Sequence, residues 1–288
     1  MQKIKIITDS CLDIPKYLIE ENDIEVLPVL INFEEESYLD TIEITVSEMQ
    51  KKIEQKKILP TTAQIIPLRF EECFKKYLDQ GYKIVALIMS ANMSGTYESA
   101  CLAKNMLESD DIVVIDSNTI TSGLGLLTLE ACRLRDAGRS IVEIEKELNE
   151  TKNKIKSSIA FESLDNLVKG GRISKTAGAI GTALGLRLIL EIKDGTMAVK
   201  DKIRGNKKVI KKIISDYEDG NPDTSSPVAL LVYDNDDLYS ALKEYLEGND
   251  IEYITTTVGC AVGIHSGPKV CGLLFISKEA TNNNGKVE

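Results

Sequence analysis

One unit recurs through the first half of this chain: a short apolar run, a turn rich in hydroxyls and acids, and then a helical pattern. It occurs at residues 3–8 before Asp9-Ser10, at 84–89 before Ser90 to Thr96, and at 112–115 before Asp116 to Gly123. Strands joined through helices run parallel, so the repetition predicts an α/β fold with a mainly parallel, doubly wound N-terminal domain. Ligands of such sheets lie beyond the carboxyl ends of the strands, where the three polar turns fall.

The segments between these units have their own signals. Asp13 is placed to cap a helix over 15–21, residues 24–33 form a second extended run, and Thr45-Val46-Ser47-Glu48 fits a capping box for a helix to about residue 55. Residues 60–64 read as a polar loop with paired hydroxyls, after which helical spacing resumes beyond Pro67. A second capping box at Ser140 to Glu143 opens a long helix with Ile141, Ile144, Leu148 and Ile155 on one face, the expected connector between domains.

Beyond the connector the texture changes. An Ala/Gly-rich segment over 177–185 permits close packing, and Asp194-Gly195 between extended runs 188–192 and 197–203 is a hairpin signal. An amphipathic helix over 207–217, strands at 228–233, 251–257 and 270–276, and a helix over 236–246 complete a C-terminal α+β domain, while 280–288 is a polar, frayed end. The expected domains are 1–156 and 157–288.

Composition narrows the function. With 5% aromatic residues and no Trp, a base-stacking or sugar-stacking surface is disfavoured, and a net charge of -10 disfavours general nucleic-acid binding. The charge is uneven: residues 169–212 hold twelve Lys/Arg against Glu191, Asp194 and Asp201, a local +9. Such a block is either a solvated face or a surface for an acidic partner or a phosphate. Six scattered cysteines without a C-x-x-C pair, and a single histidine, give no metal pattern. No apolar run is long enough for a bilayer and Met1 leads into a strand rather than a signal peptide, so the expectation is a cytoplasmic protein without stable membrane insertion.

Two stretches carry candidate chemistry. At residues 89–100 a strand meets a helix start, where free N–H groups and the hydroxyls of Ser90, Ser94 and Thr96 suit an anion, although an ordinary serine N-cap explains the same residues. His265, the only imidazole, lies in a Gly/Pro-bounded loop over 258–268 and could meet an anion, act as a base, or be a satisfied hydrogen-bonding residue. Ser94, Asp116 and His265 occur in the chain order of α/β-hydrolases, yet the G-x-S-x-G elbow is missing, as are the glycine-rich phosphate loops of nucleotide enzymes.

The order and spacing of Thr8-Asp9-Ser10, Thr62-Ala63-Gln64, Ser90 with Ser94 to Ala100, Asp116-Ser117, Gly170-Gly171-Arg172-Ile173, Asp194-Gly195, Arg204 and His265-Ser266-Gly267-Pro268 resemble the DegV family over nearly the whole chain. These are bacterial fatty-acid-binding proteins that serve as the acyl-carrying subunit of fatty acid kinase. The resemblance implies a long-chain fatty acid in a tunnel between the domains, with its carboxylate on Thr62, Ser94 and His265. It places Arg204 and Arg172 near the head group or facing a partner. It also implies no cofactor and no catalytic residue: a separate ATP-dependent kinase subunit phosphorylates the carboxylate, and this chain holds the acyl phosphate. The chain departs from the family's usual pattern at Ala63, Ile65, Arg187-Leu188 and Lys269. A serine hydrolase acting on acyl esters through Ser94 is the alternative from another class.

Overall fold

A computed structural model describes residues 2–173 and 186–279. The first half is built on four parallel strands in the order β2-β1-β6-β7, with β1 at Ile4–Asp9, β2 at Glu25–Leu27, β6 at Lys83–Ile88 and β7 at Ile112–Asp116. Strand β6 lies inside the sheet and is buried from Ile84 to Ile88, so its sequence is continuously apolar rather than alternating. Helices α3 (Pro67–Leu78) and α4 (Thr96–Leu107) pack on each other, as do α5 (Ser122–Asp136) and α6 (Ile141–Thr151), and both pairs pack on the sheet. The parallel, doubly wound arrangement is thus the one that the repeating unit predicts.

Several local expectations give way to longer-range demands. The extended run over 24–33 is cut at Pro28 into β2 and β3 (Leu30–Phe33), which enter different sheets. The second of these is a three-stranded antiparallel sheet, β4-β3-β5, with β4 at Glu36–Leu39 and β5 at Thr61–Ala63. Thr62 therefore sits on a strand opposite Ile31, not in a loop. Asp13 does not cap α1 (Lys16–Glu21); its carboxylate accepts hydrogen bonds from Thr121 Oγ1 and Gly259 N. Both capping boxes form, at Thr45 for α2 (Val46–Lys56) and at Ser140 for α6. Helix α6 nonetheless stops at Thr151, and Ile155 opens strand β8 (Ile155–Phe161), whose residues from Ile155 to Ala160 pair with the last strand of the chain.

The second half is a six-stranded mixed sheet in the order β10-β9-β8-β13-β11-β12. Its other strands are β9 (Leu186–Lys193), β10 (Thr196–Arg204), β11 (Val228–Tyr233), β12 (Tyr253–Thr257) and β13 (Val270–Ile276). The turn between β9 and β10 has Asp194 at φ 49° and Gly195 at φ 73°, the pair of positive angles that the Asp-Gly signal anticipates. A short helix, α7, spans Asp165–Lys169. One face of the sheet is covered by α8 (Asn206–Glu218) through Val209, Ile213 and Tyr217 and by α9 (Asp236–Gly248) through Leu238, Leu242 and Leu246. Strand alternation sends Ile159, Phe161, Leu190 and Leu231 to the opposite face, toward the first half.

The stretch around His265 is a helix, α10 (Cys260–Ser266), rather than a loop. Gly259 and Gly267 bracket it, the latter at φ 68°. The Ala/Gly-rich segment 177–185 and the polar end 280–288 lie outside the described residues. Among those described, no helix is long and apolar enough to cross a membrane.

Candidate functional site

A cavity of about 230 Å³ lies where the inward face of the six-stranded sheet meets the carboxyl ends of the parallel strands. The first half contributes Met89, Met93 and Ile120 to its walls, and the second contributes Ile159, Phe161, Ile192, Met197 and Leu231. The position obeys the rule for open parallel sheets.

A polar cluster interrupts the apolar lining. Thr62 Oγ1 and His265 Nε2 are 2.9 Å apart, a hydrogen bond between β5 and the last turn of α10. The guanidinium of Arg172 donates to the Met93 and Gly170 carbonyls and stands close enough to act on the imidazole. Burial, reinforced by Arg172, lowers the His265 pKa to about 4, so the ring is neutral at pH 7. Its Nδ1 is buried with no partner and lies against Gly170, where a β-carbon would stand only 2.2 Å away. Ser94 follows Met93 on the same wall; its Oγ is 2.8 Å from Thr96 Oγ1 and accepts from Thr96 N at 3.3 Å.

The structure thus brings Thr62, Ser94, His265 and Arg172 to one cavity. Arg204 ends β10, is exposed and does not line it. Nor do the three hydroxyls at the α4 start converge. Ser90 Oγ donates to the Gly195 carbonyl at 2.8 Å, and Asn92 Nδ2 donates to the Asp194 carbonyl at 2.9 Å, so this turn fastens the hairpin tip of the second half onto the first. Thr96 is fully buried, which leaves Ser94 as the hydroxyl that lines the cavity. The position before α4 is Gly95, with no side-chain cap.

Asp116 accepts from the N–H groups of Ala91 and Asn118, while the imidazole pairs with Thr62. The Ser94, Asp116 and His265 order in the sequence therefore does not become a relay in space.

Two residues of the site carry no chemistry in the sequence. A β-carbon on Gly95 would lie 2.0 Å from Gln64 Oε1, so the glycine lets Gln64 fold over the start of α4, where its Nε2 donates to Ser99 Oγ at 3.1 Å. Gly170 gives the same room to His265. Both sit at helix ends, where glycine reads as an ordinary cap. Among the described residues no group of His, Cys, Asp and Glu is placed to hold a metal ion.

Sequence and structure comparisons point one way. The family model described as an uncharacterised protein of the DegV family matches residues 3–278. A DegV domain-containing protein of Clostridium perfringens is 54% identical over 278 residues, covering 96% of this chain and 100% of its own. The solved structure of a DegV family protein from Thermus thermophilus, described for fatty acid binding, matches with a TM-score of 0.87 at 26% identity over 96% of this chain and 100% of that one. A stearic-acid-binding protein from Eubacterium ventriosum matches with a TM-score of 0.85 at 26% identity, covering 96% and 99%. The match of the family model over residues 3–278, and the identity to a relative over that relative's full length, mean that the chain belongs to the DegV family.

Proposed function

We propose that this chain binds a long-chain fatty acid in the cavity between its halves, with the carboxylate held by Thr62, Ser94 and His265. The observation that carries the proposal is an apolar cavity that meets a polar cluster of hydroxyls, a neutral imidazole and the Arg172 guanidinium around the 2.9 Å Thr62–His265 contact. Burying about 14 methylenes at roughly 0.8 kcal/mol each gives a gross term of about 11 kcal/mol, enough for tight retention after ordering costs. The carboxylate then needs orientation, which hydroxyls and a neutral imidazole supply, with the half-buried Arg172 guanidinium as the one positive charge on the cavity wall among the described residues. Two solved relatives are described as fatty-acid-binding or stearic-acid-binding proteins.

The same reading assigns the chemistry to a partner: a separate ATP-dependent kinase phosphorylates the carboxylate, and this chain holds the acyl phosphate in the cytoplasm. A second, outer pocket of about 190 Å³ shares Thr62, Arg172 and His265 with the cavity and adds Lys169, which supports a head group reachable from outside. The sequence lacks the phosphate loops of nucleotide enzymes. In this reading the units 1–156 and 157–288 form the two walls, and Arg172 and Arg204 face the head group or the kinase.

Mass spectrometry of lipid extracted from the purified protein is expected to find a long-chain fatty acid. A protein that carries none and takes up neither oleate nor palmitate would sink the proposal. The exposed Lys207, Lys208 and Lys211 of α8 belong to the basic block. Reversing their charge is expected to weaken kinase association several-fold at low salt and less at high salt, and an unchanged affinity at both would count against electrostatic docking. Hydrolysis of acyl esters through Ser94 predicts fluorophosphonate labelling; with His265 turned to Thr62, none is expected.

A further inference from the structure

The helix that carries His265 has no N-terminal cap of its own. Gly259 precedes it without a side chain to offer, yet Cys260 and Ala261 are buried, so their N–H groups need partners inside the protein. Those partners come from the first half of the chain. Asp13 Oδ1 accepts from Gly259 N at 2.7 Å, and Asp40 accepts from Cys260 N at 3.1 Å and Ala261 N at 3.4 Å.

Each carboxylate is itself held. Thr121 Oγ1 donates to Asp13 Oδ2 at 2.6 Å, and Ser10 Oγ donates to Asp40 Oδ2 at 2.8 Å. Asp13 at φ 48° and Thr121 at φ 54°, ψ -140° both occupy backbone regions that non-glycine residues rarely enter. No ion pair reaches Asp9, Asp13 or Asp40 among the described residues. Gly259 matches this arrangement, because a β-carbon there would stand 3.1 Å from Asp13 Oδ1.

The same network reaches the other half of the head-group pair. Asp40 N donates to the Val29 carbonyl at 2.9 Å, and Ser10 Oγ accepts from Val29 N at 3.1 Å. Val29 leads into β3, whose Ile31 pairs with Thr62. One buried cluster therefore fixes both the start of the helix that ends in His265 and the sheet that presents Thr62.

We propose that Asp13 and Asp40 are positioning residues for the carboxylate site, capping the His265 helix across the two halves and so setting the imidazole against Thr62. The inference rests on the fatty-acid reading for its functional consequence. It goes beyond that reading by assigning a role to residues outside the cavity lining.

The single histidine makes the test direct, since any imidazole NMR signal belongs to His265. Two variants are compared with the parent, as lipid-stripped full-length protein labelled with 15N. In Asp40→Asn an amide N–H would face the Ala261 N–H, and Asp13→Ala removes the acceptor for Gly259 N. Both are expected to shift the ring nitrogen signals, which report tautomer and the Nε2 hydrogen bond, and to lower palmitate affinity at least tenfold. Asp216→Asn, at a carboxylate buried in the second half against Lys200, Lys212 and Ser158, is expected to leave both readouts at parent values.

If the aspartate variants do not fold, Ser10→Ala decides by the same two readouts, and Thr121→Val, whose side chain also lines the cavity, decides by the ring signals alone. They keep both carboxylates and remove one hydroxyl from each. Folded variants with parent ring signals and parent palmitate affinity overturn the proposal. A parent protein that binds no palmitate overturns the fatty-acid reading instead, and the ring signals still decide whether the helix start controls His265.

Discussion

Replacing Gly170 with alanine is expected to lower fatty-acid affinity at least tenfold while leaving the protein folded. The new β-carbon would stand 2.2 Å from His265 Nδ1, closer than packed atoms come, and 3.0 Å from Cε1, so the ring must turn away. Turning it sacrifices the 2.9 Å contact with Thr62 and misplaces the group that meets the carboxylate. A hydrogen bond to a charged group is worth about 1.5–3 kcal/mol, which corresponds to about 10-fold to 100-fold in affinity. The backbone itself does not object, since Gly170 has φ -76° and ψ -11°, helical values that alanine adopts readily. Gly171→Ala supplies the contrast: its φ of 71° penalises any β-carbon, yet nothing lies within 4 Å of one, so it should lose stability and keep affinity. Titration with a fluorescent fatty acid beside a thermal melt separates the two. Equal affinity losses in both variants, or none in Gly170→Ala, would show that the glycine does not act through the imidazole.

The contrast between these neighbouring glycines illustrates what the sequence reveals. The parallel core was legible because strands such as β6 are apolar without interruption and end at polar turns, a signal that is local in the chain. The β9–β10 hairpin was legible for the same reason, its turn being specified by Asp194-Gly195 alone. Thr62 was a candidate ligand but not a strand residue. β5 is three residues long, and its pairing is decided by Leu30 to Asn32, about 30 positions earlier. The His265 helix was hidden more thoroughly. It is seven residues long, it contains Gly263, and its caps come from residues 246 and 220 positions away. No periodicity can show a helix whose start is completed by the other half of the protein. Ser90 misled in the opposite sense: it looked like part of an anion site because the hairpin tip that it holds lies 105 residues downstream.

Stability is expected to fall as pH rises from 6.5 to 8. Asp9 and Asp13 lie in the interior, and burial raises their pKa values to about 6 and about 7, with neighbouring Asp40 adding to both. In the unfolded chain both titrate near 3.9. Between the unfolded and folded values the native protein holds protons that the unfolded chain has released, so this contribution is complete at low pH and is lost as pH rises through 6 and 7. Most of this loss falls between about pH 4 and 6.5, and the part that remains between 6.5 and 8, chiefly from Asp13, is about 1 kcal/mol. His265 works in the other direction, because its lowered value of about 4 means that the unfolded chain takes up a proton first and stability is lost as pH falls below 6.5. Above 6.5 that opposing trend fades and is worth only about 0.4 kcal/mol, so Asp13 governs the slope. Urea unfolding at pH 6.5 and 8 should therefore give the higher midpoint at the lower pH. Asp13→Asn should flatten the difference and be more stable than the parent at pH 8, since an amide can still accept from Gly259 N and meet the Thr121 hydroxyl without a buried charge. A parent that is more stable at pH 8 than at 6.5 would contradict the burial of an unpaired carboxylate at this junction. If instead the slope is as expected, Asp13 weakens the fold at neutral pH, and its place at the start of the His265 helix needs a reason other than stability, which setting the imidazole against Thr62 provides.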